Sequence, residues 1–202
     1  MYVHVKRAFD LAISLVLIVL LAPVWMVAGL AIKLTSPGPM LFVQTRGGRG
    51  GKPFGPFKFR TMRADHVHDA TEIVPLSHPG VTPVGRLLRR LKIDELPQLF
   101  NVLVGEMSLV GPRPALLDQI ERYDAIQRRR LEVRPGLTGL AQVNGNAAMS
   151  WEERIRYDVY YVEHLCPPFD VAILAKTVAV VLLGEARFAR PFDQSPYAER
   201  TP

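Results

Sequence analysis

The run from Leu11 to Ile32, LAISLVLIVLLAPVWMVAGLAI, holds 22 residues and not one charge. As a helix rising about 1.5 Å per residue it would reach about 33 Å, roughly the thickness of a bilayer's hydrocarbon core. Helices of soluble cores are rarely apolar on every side for that length. No convincing small-residue cleavage site follows that would make the run a removable signal. Pro23 stands near its centre, where the ring removes a backbone donor and presses on the carbonyl four residues back. The flanks add a second constraint. Lys6 and Arg7 precede the run, and Lys33, Arg46, Arg49, Lys52, Lys58, Arg60 and Arg63 follow with no acid among them. Basic residues beside a membrane segment prefer the cytosolic side, so both ends ask for the same side. A straight span cannot satisfy both, whereas a helix broken at Pro23 enters and leaves through one leaflet. Spanning helices also carry proline kinks, so the charges, more than the proline, carry the expectation of a re-entrant helix.

The rest of the chain reads as one domain with enough apolar material for a core. The formal charge of +6 and sequence pI of about 9.7 favour an anionic partner: phospholipid headgroups, nucleotide phosphates or nucleic acid. No nucleic-acid motif is present, and the single cysteine, Cys166, excludes an internal disulfide and a cysteine-based zinc site. LFVQTR and FKFRTM form two short strands around the Gly-rich GGRGGKPFG, a hairpin-like unit. Residues 64–84 are loop-like, and VGRLLRRLK has helical spacing with a basic face. IDELPQLFNVLVG predicts an amphipathic helix through Leu96, Leu99, Phe100 and Leu103, its first turn holding the acids and Pro97. EMSLVGPRP is extended and ends in a rigid turn. Residues 115–131 and 150–164 are helical, with the Gly-rich RPGLTGLAQVNG between them. Residues 169–183 suit a helix lying in a membrane interface, and the polar tail is loose. The expected fold class is α+β: a re-entrant helix in 1–34, a small mainly helical domain with a hairpin and interfacial helices in 35–186, and a tail in 187–202.

Asp94 and Glu95 are adjacent acids in a basic neighbourhood of Arg86, Arg89, Arg90, Lys92 and Arg113. Acids at a helix start are commonly caps. The alternative is chemical: a helix N-terminus and arginines keep a carboxylate ionised and also bind phosphate. Carboxylate facing phosphate calls for a cation, and Mg2+ bound by one or two carboxylates and substrate oxygens is the natural one. Such a site could run phosphoryl-type transfer, with one acid as nucleophile and one as base.

FKFRTM, KIDELPQLFNVLVGEMSLVGPRP and RPGLTGLAQVNG, in that order after a proline-bearing apolar helix, resemble the bacterial sugar transferase family, small monotopic phosphoglycosyltransferases. The resemblance covers about residues 5–165. It implies transfer of sugar-1-phosphate from a UDP-sugar to polyprenyl phosphate, releasing UMP and beginning glycan assembly for downstream glycosyltransferases. It implies Asp94 as the nucleophile forming a covalent phosphosugar intermediate and as Mg2+ ligand, and Glu95 as the group assisting the lipid phosphate. It implies phosphate contacts from Lys58, Arg60, Arg89, Arg113 and Arg134, Arg113 foremost between its two prolines. It implies attachment to the phospholipid bilayer at the cytosolic face of a bacterial inner membrane. One departure stands out: the family often has Ser-Pro at the helix break, and this chain has Ala22-Pro23, with Ser36-Pro37 too late to replace it. Two rivals remain: a phosphatase or pyrophosphatase of lipid-linked substrates, and a non-catalytic basic module on anionic lipid.

Overall fold

The computed structural model describes residues 2–64 and 74–198. Part of the expected 64–84 loop, residues 65–73, lies outside them. The architecture is mixed and mainly helical: a long apolar helix, a compact helical body and a few short strands.

Helix α1, Tyr2–Thr35, runs unbroken through Pro23. The break expected there is not seen, and the helix is continuous across it. Pro23 and Val19, whose carbonyl loses its partner, both lie on the exposed side. The opposite side is held by packing: Asp10, Ser14, Leu17, Leu21, Trp25, Ala28 and Ile32, three or four residues apart, form one stripe against the body. The lost hydrogen bond is thus on the face that carries no tertiary contact. Elsewhere around its circumference α1 exposes Phe9, Leu15, Val16, Val19, Leu20, Val24, Met26, Val27 and Leu30.

Both ends of α1 are tied to the same body. Near the start, Lys6 Nζ donates to Asp170 at 2.6 Å, Arg7 donates to the Leu103 carbonyl at 2.9 Å, and Asp10 accepts from the Ser108 hydroxyl at 2.7 Å. Near the finish, Ala28 and Ile32 are buried with Phe59 and Leu88.

The hairpin forms as expected. β1, Leu41–Val43, pairs antiparallel with β4, Phe57–Phe59, Leu41 opposite Phe59; inside it β2, Arg46–Gly47, pairs with β3, Pro53–Phe54. Gly50 and Gly51 take φ of 67° and 75° to close the loop, a backbone that favours glycine. Helix α2, Pro83–Arg90, begins at Thr82, whose hydroxyl accepts from the Gly85 amide at 2.9 Å. The acids then depart from expectation. They sit in a separate 3-10 turn, Ile93–Glu95, ahead of α3, Gln98–Val104. Lys92, left-handed at φ 56°, breaks the path between α2 and that turn.

β5, Ser108–Val110, pairs in parallel with β6, Gly136–Thr138, a strand where a Gly-rich loop was expected. A parallel pair needs a crossover of a dozen or more residues. Here α4, Leu117–Glu121, and α5, Ala125–Arg128, supply it in place of one continuous helix over 115–131. α6, Trp151–Glu163, starts on the Ser150 cap, and α7, Pro167–Leu183, follows. The main core joins Leu99, Leu109, Val110, Leu140, Val143, Tyr157, Tyr161, Ile173 and Val180. The start of the tail is not loose: Phe192 is buried in that core, and Phe188 and Tyr197 pack against it.

Candidate active site

The 3-10 turn between α2 and α3 places Asp94 and Glu95 on the wall of a cavity of about 740 Å3. Lys58 from β4, Arg60 just beyond it, Arg89 from α2 and Arg113 from the turn after β5 line the same space. Four of the five basic residues expected at the site therefore converge there. Arg134 does not line it: its Nε donates to the Gly105 carbonyl at 2.8 Å, satisfying the end of α3.

The two acids have different surroundings. Glu95 Oε1 accepts from Lys58 Nζ at 2.7 Å and Arg113 Nη2 at 2.6 Å, and Arg113 Nη1 reaches Oε2 at 3.3 Å. Burial alone would push the Glu95 carboxyl up, but Arg113 and Lys58 outweigh it and hold it well below the usual carboxylate range. Asp94 is 8% exposed, and the cations act on it through space. Burial, followed by the charge of Glu95, pushes its carboxyl up against the pull of Lys58, Arg89 and Lys92. The direction is opposite to that expected of an acid at a helix N-terminus, because Asp94 lies in a buried turn ahead of the helix.

The supporting contacts are specific. Arg113's carbonyl accepts from Arg130 Nη2 at 2.9 Å, and Arg130 is itself buried in an ion pair with Asp158 of α6. Arg89 Nε donates to the Thr61 hydroxyl at 2.8 Å. Arg60 Nη2 donates to the carbonyl and hydroxyl of Ser36, both at 2.8 Å, so Ser36 serves the exit of α1. Arg60 is 6% exposed, and among the described residues its Nε and Nη1 have no hydrogen-bond partner.

Among the described residues no three His, Cys, Asp or Glu side chains converge as a ligand set. Glu95 is occupied by Lys58 and Arg113, which leaves Asp94 as the acid of the pair open to the cavity. That donor set fits a Mg2+ ion taking one carboxylate and completing its shell from phosphate oxygens and water, and does not fit an all-protein cage. Sequence reasoning missed Asn146 and Glu185, which also line the cavity. Glu185 follows Gly184 at the end of α7, and nothing in its local sequence marks it.

A cationic cavity around one unencumbered buried carboxylate suits group transfer at phosphorus. The profile of the bacterial sugar transferase family matches residues 1–184, and the chain belongs to that family: it is a transferase. It is 44% identical over 180 residues to an uncharacterized sugar transferase, EpsL, of Bacillus subtilis, covering 89% of this chain and 88% of that one. It is 45% identical to the UDP-glucose:undecaprenyl-phosphate glucose-1-phosphate transferase of Caulobacter vibrioides, over 88% of this chain and 69% of that one. It is 40% identical to the UDP-N-acetylgalactosamine-undecaprenyl-phosphate N-acetylgalactosaminephosphotransferase of Aeromonas hydrophila, over 91% of this chain but 45% of the relative. The chain thus spans most of EpsL and less than half of the Aeromonas enzyme.

Proposed function

We propose that this protein transfers sugar-1-phosphate from a UDP-sugar to undecaprenyl phosphate, with Asp94 as the nucleophile. The observation that carries the assignment of roles is the contrast between the acids: Glu95 is held by three hydrogen bonds from Lys58 and Arg113, while Asp94 faces the cavity unheld. The named activities of the Caulobacter and Aeromonas relatives support the substrates.

In the first half-reaction an Asp94 oxygen attacks the phosphorus next to the sugar. The bond from that phosphorus to the bridging oxygen breaks, and UMP leaves with the bridging oxygen. Lys58 and Arg113 swing donors from Glu95 to the phosphate oxygens, which frees Glu95 as an acceptor. In the second half-reaction a lipid phosphate oxygen attacks the same phosphorus, with Glu95 available to take a proton, and the Asp94 carboxylate is regenerated. A bound Mg2+ would offset phosphate charge that otherwise repels both incoming oxyanions.

The bilayer enters through α1. Its outer side is apolar, while its inner stripe and both ends are engaged by one body. Because both ends of α1 are tied to one body, both flanks belong on one side of the membrane, which supports a monotopic placement at the cytosolic face of the inner membrane. The exposed Val171, Val178 and Leu182 of α7 supply an interfacial surface. Downstream glycosyltransferases would receive the product.

Incubation with a panel of UDP-sugars and Mg2+, without lipid, is expected to release UMP and add one phosphosugar mass to Asp94. Asp94→Asn is expected to show neither. Excess chelator is expected to stop the release, and manganese to restore part of it. No adduct in rapid-quench samples, with ternary-complex kinetics, would overturn the covalent route. Cysteines at Val3 and Gly50 are expected to label from the cytosolic side alone; labelling of either from outside would overturn the topology.

A further inference from the structure

Lys92 and Asn146 are the two non-glycine residues in left-handed conformation among those described, at φ 56° and 41°. Both reach one atom. Lys92 Nζ donates to Glu185 Oε2 at 3.2 Å, and Asn146 Nδ2 donates to it at 3.1 Å. For lysine this backbone costs roughly 1–2 kcal/mol, and such conformations persist where the surroundings over-determine them, frequently at functional sites. All three residues line the cavity that holds Asp94, and Lys92 is two residues from it. The charge of Glu185 is also felt by Arg113.

The remainder of this wall is cationic and suits phosphate. A carboxylate repels phosphate, so Glu185 belongs opposite a neutral donor. Its Oε1 and the Asn146 Oδ1 accept no hydrogen bond from a described residue, so each keeps an acceptor for a ligand. Neutral hydroxyls are what a donor sugar presents, and the sugar is bonded to the phosphorus that Asp94 attacks.

We propose that Glu185, fixed by Lys92 and Asn146, is a specificity-determining residue that accepts a hydrogen bond from a hydroxyl of the donor sugar. The inference rests on the reading of the donor as a UDP-sugar. A hydroxyl bound to a charged acceptor makes a site reject the analogue that lacks it.

The test compares kcat/KM for UMP release from the preferred UDP-sugar and each of its monodeoxy analogues, in wild type, Glu185→Gln and Asn146→Gly. Glycine tolerates the left-handed backbone at 146, so that variant removes the side chain without strain. In wild type one deoxy analogue is expected to lose about ten- to hundredfold, the worth of a hydrogen bond to a charged group. In Glu185→Gln that penalty is expected to shrink to a few-fold, the worth of a neutral acceptor, with Asn146→Gly intermediate. Inhibition by UDP, which carries no sugar at that position, is expected to stay at the wild-type value and so reports an intact site. An equal loss on every analogue would overturn the proposal. So would weakened UDP inhibition, which would assign Glu185 to the ribose, or a raised Mg2+ requirement with discrimination unchanged, which would assign it to the cation. UMP release from no sugar by wild type would instead reject the donor itself, and the proposal with it.

Discussion

Arg113 grips Glu95 as a fork, Nη2 to Oε1 at 2.6 Å and Nη1 to Oε2 at 3.3 Å, on the wall of the cavity that Asp94 also lines. The fork holds one acid of the pair ionised, and that charge makes the other harder to ionise. Two adjacent acids thereby acquire different properties from their surroundings.

Breaking the fork while keeping the charge should separate geometry from electrostatics. Arg113→Lys loses the planar bidentate contact, and kcat/KM for UMP release is expected to fall by at least about tenfold, the cost of one strong hydrogen bond. The Arg113 side chain is 37% exposed, so solvent screens the pair and little global stability should be lost. Equal activity in the two forms would show that the fork has no catalytic weight.

As the proposed nucleophile Asp94 would react as the carboxylate, and burial pushes its carboxyl up from the value of a solvated aspartate. Activity should therefore fall as pH drops through the raised value, giving an acid limb displaced upward. The stability sign is the reverse. A carboxyl with a raised folded value favours folding when protonated, and this contribution is lost as pH rises through that value. Asp94→Asn removes the loss, so the variant is expected to be more stable than wild type at pH 8 by about 0.5–2 kcal/mol in urea melts. A less stable variant would contradict the burial account.

The Arg130–Asp158 pair lies beneath the site, with side chains 3% and 1% exposed. Removing one partner of a buried pair typically costs about 3–5 kcal/mol. Asp158→Asn is expected to lose stability of that order and to lower activity as well, because Arg130 steadies the carbonyl of Arg113. Denaturant midpoints and UMP release measured on the same samples check both.

Ser14 is fully buried on the inner stripe of α1, and its hydroxyl has no partner among the described residues. An unsatisfied buried hydroxyl costs about 1–3 kcal/mol. Ser14→Ala is expected to leave activity unchanged and to raise the unfolding midpoint; a drop would show that the hydroxyl is engaged.

The hairpin was legible because two short strand-like runs around a Gly-rich loop are a local signal. The acid pair was legible as chemistry but not as geometry. Its 3-10 turn depends on a lysine in a left-handed conformation, which no periodicity reveals. β6 was hidden because its pairing with β5 comes from a distant segment, and Gly136 has little strand preference of its own. Arg134 and Arg113 look equally basic in sequence; only the tertiary path puts one at the cavity and the other at the Gly105 carbonyl. Pro23 shows the same limit, since the packing stripe that carries α1 past it is invisible along the chain.

That stripe has a thermodynamic consequence. α1 contributes core on one side and an apolar exterior on the other, so it is no detachable tether. Lipid or detergent that covers the exterior stabilises the fold to the extent that it binds the native chain more tightly than the unfolded one. Such an amphiphile acts by mass action, as any ligand does, and the midpoint of unfolding should climb with its concentration until the face is saturated.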